Sequence, residues 1–352
     1  MTTRRRHVLI TGGAGFVGTN LAKGLVADGR RVVVLDNLSR PGVEQNLRWL
    51  EETSDGRVTA LRADVRDDAA VRAAVSDADA VFHLAAQVAV TTSLDSPLDD
   101  FDVNLHGTVT LLEELRRLRR PIPLLFTSTN KVYGALPDVR LRRADDRWQP
   151  IEANLREHGI DESRPLHFCT PYGCSKGGAD QYVLDYAATF DVPAVVFRMS
   201  CIYGPHQHGT EDQGWVAHFL LRALAGEPVT VYGDGAQVRD VLHASDLVDA
   251  MLRAHEEIDE VSGTAFNVGG GPNNTLSLLE LLRLIEELED EPPDVSFAEE
   301  RPGDQRWYVS NTSRLHEATG WTPAVGVEEG VASLHRWLAG RRANVLASTR
   351  AR

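Results

Sequence analysis

Short apolar runs and longer stretches of helical spacing alternate along this chain. His7 to Thr11 holds the unbroken run Val8-Leu9-Ile10, the pattern of a strand buried on both faces. Thr19 to Asp28 switches to helical spacing, with Leu21, Leu25 and Val26 turned inward. Arg31 to Leu35 reads as a second strand that closes on Asp36, and Val58 to Ala63 as another. Further along, Phe101 to Arg119 and Tyr172 to Thr189 carry amphipathic helical patterns, Pro193 to Met199 reads as a strand and Leu276 to Leu288 as a helix. Strands alternating with helices predict an α/β fold around a parallel sheet. Two stretches break the rhythm. Asp138 to Pro171 is polar, arginine-rich and weakly periodic, and predicts an insertion over the functional site rather than a separate domain. Arg341 to Arg352 has no core pattern and predicts a disordered tail.

Length and charge narrow the classes. At 352 residues the chain is long for one core, which points to two domains or an α/β domain with a lobe. Lys and Arg number 37 against 51 Asp and Glu, and the resulting net charge of −14 disfavours nonspecific binding to nucleic acid or an anionic membrane. A local basic pocket for a diphosphate remains compatible with it. Three cysteines, Cys169, Cys174 and Cys201, form no CxxC pair and point to reduced thiols in a cytoplasmic protein. No His/Cys spacing suits a metal, so none is expected. Arg4-Arg5-Arg6 could open a signal peptide, but Val8-Leu9-Ile10 is far too short for its apolar core. No stretch approaches the ~18 apolar residues of a membrane span.

The first strand runs straight into Gly12-Gly13-Ala14-Gly15-Phe16-Val17-Gly18. Strand, glycine turn, helix and a second strand ending in an acid together specify dinucleotide binding far better than glycines alone. Gly12 suits the tight turn, Gly15 lets backbone approach a pyrophosphate, and Gly18 lets helix pack on strand. The helix N-terminus offers N–H groups to the phosphates. Asp36, 18 residues past Gly18, is placed to accept from the adenosine ribose hydroxyls and to repel a 2′-phosphate, so NAD is expected over NADP. Arg40 weakens that preference unless it is only an exposed loop charge. A second constellation is Tyr172 and Lys176, four apart and therefore on one helical face. A phenol has a pKa of about 10. An ammonium one turn away favours the phenolate, which can then take a proton from a sugar hydroxyl as a hydride leaves the same carbon. Thr129, in Thr127-Ser128-Thr129-Asn130-Lys131-Val132-Tyr133-Gly134, is the best-placed hydroxyl to bond the same oxygen.

The G-x-x-G-x-x-G spacing resembles the extended, nucleotide-sugar-modifying branch of the short-chain dehydrogenase/reductase family, and the resemblance recurs along almost the whole chain. It implies a Rossmann doubly wound parallel sheet with a smaller C-terminal substrate-binding lobe. The NAD-binding domain would take residues 1–200 plus about 237–262, the lobe 201–236 and 263–340, with 341–352 as the tail. It implies that the glycine turn with Phe16 and Val17, then Asp36, Asn37, Ser39 and Arg40, binds the cofactor. Asp64 and Val65 resemble the adenine edge. Val81 to Gln87 resembles the fourth strand and the loop beside the nicotinamide ribose, with Leu84, Ala85, Ala86 and Gln87 as contacts. Asn104 falls in a helix that supports the site, and is counted with the cofactor residues. Leu124 to Thr129 would be the fifth strand. Thr129, Tyr172 and Lys176 would be the catalytic group, the last two also touching cofactor. In relatives the helices near 101–119 and 172–189 form a four-helix interface, implying a homodimer or homotetramer.

The residues after Thr129 are Asn130 and Lys131, where nucleotide-sugar 4,6-dehydratases carry an acid pair. Without those carboxylates elimination loses its general acid and base, leaving redox chemistry alone and so epimerisation through a transient ketone. Five stretches resemble the CDP-paratose 2-epimerase (CDP-tyvelose epimerase) subfamily: Asp36 to Arg40 with Asn46 to Leu50, Gln87 to Ser93, Thr129 to Gly134, Pro171 to Gly177 with Ala179 to Tyr182, and Asp212 to Val216. That resemblance implies retained NAD and oxidation at C2 of a CDP-sugar. It also implies a substrate set of Gln87, Thr129, Asn130, Lys131, Cys201, Gln213, Arg239 and Arg301, with the two arginines on the diphosphate. Met199 and Cys201 stand where relatives often have polar side chains, so the sugar itself stays open. Two rivals remain: a C4 epimerase of a UDP- or other nucleotide hexose, which uses the same Tyr, Lys and Thr, and a non-catalytic NAD-binding sensor. The presence of both Tyr172 and Lys176 argues against the sensor.

Overall fold

The computed structural model describes residues 6–350 apart from Arg119 and Pro302, with side chains as far as Arg341. Arg4 and Arg5 of the expected basic tail therefore lie outside the described residues, as do Ala351 and Arg352. Seven parallel strands form the main sheet, in the order Thr264–Val268, Ala194–Met199, Leu124–Thr129, Ala78–His83, His7–Thr11, Val32–Asp36, Val58–Arg62. The chain starts in the middle, builds outward to Val58–Arg62, then crosses to the other side of His7–Thr11. That reversal opens a crevice at the carboxyl ends of His7–Thr11 and Ala78–His83, where sheets of this kind bind ligands.

Alternation along the central strand explains its place. Val8 and Ile10 face an apolar layer with Leu21, Leu25 and Met251, while Leu9 faces the opposite layer with Leu111, Leu115 and Val183. The helix Thr170–Phe190 packs on that second layer through Ala179, Val183 and Tyr186. A separate cluster around Tyr203, Phe219, Val231 and Leu334 forms the core of the lobe. Its largest sheet sets Val238–His243 against Thr275–Ser277, Trp307–Tyr308 and Cys201–Tyr203.

Four expectations need correction. Thr264–Val268 pairs in register with Ala194–Met199 at the edge of the main sheet, and Ala244–Glu256 packs on Phe16–Ala27, so the returning segment is about 244–268. The strand Val238–His243 belongs instead to the lobe sheet. Asp138 to Pro171 does not cover the site. It contains the hairpin Leu141–Ala144/Arg147–Pro150 and the helix Ala153–His158, and its apolar residues Val139, Ile160 and Leu166 pack against Val238, Trp307 and Tyr308 on the lobe. The helix expected from Phe101 begins as Pro97–Phe101, widens to a π turn over Asp102–His106, and continues as Gly107–Arg117. Finally, the helix Val327–Arg350 continues through most of the stretch expected to be a disordered tail.

Candidate active site

A cavity of about 780 Å³ lies over the carboxyl ends of the strands, between sheet and lobe. The dinucleotide end is shaped by glycine. Gly12 has φ +67°, and a Cβ on it would sit 2.7 Å from the Ala85 amide nitrogen. A Cβ on Gly18 would stand 2.5 Å from the Gly13 Cα, so the helix Phe16–Ala27 packs on the turn only without a side chain there. Asp36 closes its strand and accepts from the amides of Ala14 (3.0 Å) and Leu38 (2.9 Å). Burial nevertheless raises its pKa. Asn37 donates to Asp64 at 2.8 Å, and Arg66, 2.8 Å from the same carboxylate, holds Asp64 well below the usual range. Together with Phe16, Val17, Ser39 and Val65 these groups line one end of the cavity, as do Leu84, Ala85 and Ala86 farther in. The glycine cradle, the helix start and the carboxylate at the end of the adjacent strand fit NAD. Arg40 is no idle loop charge: it lines the cavity and donates to Gln213 across it.

The other end gathers the reactive groups. Tyr172 and Lys176 rise one turn apart from Thr170–Phe190, and Thr129 ends its strand opposite them. All three are buried. The electrostatics differ from expectation. Burial pushes the Tyr172 phenol up to about 12, a hydrogen bond with Thr129 favours the phenolate, and the charge of Asp100 opposes it. The Lys176 ammonium contributes no lowering there; it donates to the Thr127 carbonyl at 2.5 Å and lies 4.2 Å from the centre of the Phe126 ring. Burial brings its own pKa down to about 7, against the upward pull of Asp180 and Asp100. Asp180 lies one turn beyond Lys176 and makes a two-point ion pair with Arg198, both contacts 2.9 Å.

Two expected contacts sit differently. Asn104 does not line the cavity. Carried by the π turn, it is buried behind the wall, accepts from the Gln87 amide (2.9 Å), and donates to the Gln87 carbonyl (3.0 Å) and Ser175 (3.1 Å). Such turns often reposition side chains at functional sites. Gln87 lines the cavity, but its side chain is spent on Ala89 and Asp100.

Asn130, Lys131, Cys201, Gln213, Arg239 and Arg301 all line the lobe side. Asp304, unassigned from sequence, ties two of them together. Arg239 donates to it at 2.6 Å and the Lys131 amine lies 3.7 Å away. Arg301 stacks on Tyr232, 3.8 Å from the ring centre, and reaches Glu211 and Asp212. Trp215 donates to the Cys201 sulfur at 3.5 Å, and burial raises that thiol. Asp100 and Asp180 were also missed. Each stands four residues from a recognised position, Asn104 and Lys176, and helical spacing was the available signal. No cluster of three His, Cys, Asp or Glu side chains able to hold a metal occurs among the described residues. No described helix is long and apolar enough to cross a membrane.

Residues 8–269 match the family described as the NAD dependent epimerase/dehydratase family. A CDP-paratose 2-epimerase from Salmonella typhi is 41% identical, the match covering 94% of this chain and 98% of that protein. A UDP-glucose 4-epimerase from Mycolicibacterium smegmatis is 33% identical over 93% and 96% of the two chains. Among solved structures, Thermus thermophilus UDP-glucose 4-epimerase in complex with NAD superposes with TM-score 0.79 at 32% identity, covering 95% of this chain and 99% of that one. On its glycine turn, its Tyr-x3-Lys face and these likenesses, the chain belongs to the NAD dependent epimerase/dehydratase family and is an NAD-dependent isomerase.

Proposed function

We propose that this enzyme inverts C2 of a CDP-linked deoxysugar of the paratose/tyvelose type. The observation that carries the reading is the cavity wall after Thr129, where Asn130 and Lys131 stand in place of a carboxylate pair. Oxidation and its reversal remain available there, but the proton transfers of dehydration do not. The 41% identity to a CDP-paratose 2-epimerase, against 33% to a UDP-glucose 4-epimerase, supports C2 and CDP. NAD, when bound, supplies the two-electron oxidation and its reversal. Tyr172 takes and returns the hydroxyl proton, Thr129 bonds the same oxygen, and Lys176 holds a positive charge beside it. Incubation with CDP- and UDP-sugars, followed by proton NMR of the recovered sugar, should return a C2 epimer only from a CDP-sugar. A C4 epimer from a UDP-hexose would sink this reading in favour of its rival.

Arg239 and Arg301 are assigned to the substrate diphosphate, where a guanidinium donates two parallel bonds. Charge-assisted bonds contribute roughly 1.5–3 kcal/mol each. Arg239→Ala should therefore weaken binding of free CDP about 10- to 150-fold by calorimetry. Unchanged affinity would remove the assignment.

A homodimer is the proposed assembly. Leu94, Leu98, Phe101 and Tyr182 are exposed on the helices Val90–Asp95, Pro97–Phe101 and Thr170–Phe190, which pack on one another. An apolar patch of this kind is the usual mark of an association surface. Light scattering should give about twice the chain mass of 38.7 kDa; a monomer at micromolar concentration would contradict it. Three free cysteines suit a cytoplasmic enzyme.

A further inference from the structure

Asp100 is a fully buried carboxylate that touches neither cavity nor solvent. Donors converge on it: the Ser175 hydroxyl at 2.5 Å on one oxygen and the Gln87 side-chain amide at 3.2 Å on the other, with the Asn104 amide 3.1 Å away and its two hydrogens shared among this oxygen, the Gln87 carbonyl and Ser175. An ionised carboxylate accepts only, and these neighbours are donors, so the shell suits the charged form; burial raises the Asp100 pKa, and the Ser175 hydrogen bond and the Lys176 charge pull it back down. The partners belong to two separate parts of the site. Ser175 lies between Tyr172 and Lys176 on the reactive helix, and Gln87 belongs to the loop that lines the cavity beside them.

We infer that Asp100 is a positioning residue: through Ser175 and Gln87 it fixes the Tyr172–Lys176 helix against the cavity loop and sets a negative charge beneath both reactive side chains. The inference rests on the proposed roles of Tyr172 and Lys176. Lys176 is faced by Asp100 from the helix Pro97–Phe101, by Asp180 on its own helix with Arg198 behind it, and by His83 from the sheet. Asp180 pulls Lys176 up more strongly than Asp100 does but is tied to Arg198 as well, whereas the one cation acting on Asp100 is Lys176 itself, among the described residues. Its charge opposes the burial that lowers Lys176 and adds to the burial that raises Tyr172. Both effects act in one direction on pH. A reaction that needs the Tyr172 phenolate and the Lys176 ammonium together has a pH profile whose two limbs follow these two pKa values.

The test is the pH profile of Asp100→Asn. Removing the charge lowers both pKa values, so both limbs should move to lower pH by about one unit. Turnover should fall roughly 10- to 100-fold as the helix and loop lose their common tie. Ser175→Ala keeps the charge and breaks the tie; its turnover should fall with both limbs in place. Limbs that stay put in a folded Asp100→Asn protein overturn the inference, whatever its turnover. If that variant does not fold, Ser175→Ala decides: wild-type turnover overturns the inference, and reduced turnover upholds it. The second readout is NAD affinity against pH by calorimetry, which should decline at lower pH in Asp100→Asn than in the wild type. It separates two failures. A wild type that epimerises no nucleotide sugar refutes the proposed function, while an unchanged NAD-affinity profile refutes the role of Asp100.

Discussion

Replacing Tyr172 by phenylalanine is expected to lower turnover about 10²–10⁴-fold, the usual worth of a positioned acid–base group, while fold and NAD affinity survive. The side chain is only 8% exposed, and phenylalanine fills the same buried space, so the substitution removes one oxygen and little packing. That oxygen is the only part bonded to Thr129. Burial alone makes it a poor base, since it pushes the phenol up to about 12. The site must therefore favour the phenolate in the ternary complex through Thr129 and the positive charge of the oxidised nicotinamide. Steady-state turnover and NAD calorimetry on the same preparation check this. A variant that kept more than about a tenth of the wild-type rate would show that the proton goes elsewhere.

What the sequence revealed, and what it hid, follows from the range of each interaction. The NAD end was legible because its parts are contiguous. Val8-Leu9-Ile10 must be buried on both faces, Gly12 and Gly18 sit where a Cβ would meet backbone, and Asp36 ends the adjacent strand. The pairing of Tyr172 with Lys176 was legible from helical spacing. Interactions between distant segments were not. Val139, Ile160 and Leu166 are spaced without period because they pack on Trp307 and Tyr308, far along the chain, and no local rhythm reports such a partner. Thr264–Val268 looks the same in sequence whether it joins the lobe or the edge beside Ala194–Met199. Asn104 was placed correctly in a supporting helix but counted among cofactor contacts, because a π turn rotates the side chains after it and leaves no mark in an apolar stripe. The electrostatic expectation failed for a related reason. Four-residue spacing tells which side chains share a face, but the direction of the Lys176 amine is set by Thr127 and Phe126 on a strand from another part of the chain.

Lys176→Met should separate what this lysine does for the reaction from what it costs the fold. The amine is 3% exposed, and burial brings its pKa down to about 7. An unfolded lysine keeps its proton up to about pH 10.4. Between those two values the unfolded chain binds a proton that the folded chain has lost, so the folded state gains stability as pH rises. The slope for one proton is about 1.4 kcal/mol per pH unit, which amounts to roughly 2–3 kcal/mol between about pH 7 and about pH 9. Methionine fills similar volume without a charge, so the variant should lack that gain. Denaturant unfolding of both proteins at the two pH values, after NAD has been removed, isolates the difference and cancels the titration of every other group. The same variant should lose turnover by at least about 10²-fold and bind NAD more weakly, because the ammonium beside Tyr172 and the cofactor wall is gone. Parallel stability profiles for wild type and variant would mean that Lys176 stays protonated in the fold through this range. Its burial would then be offset by Asp180, Asp100 and the Thr127 carbonyl together, and the limb of activity assigned to Lys176 would have to come from another group.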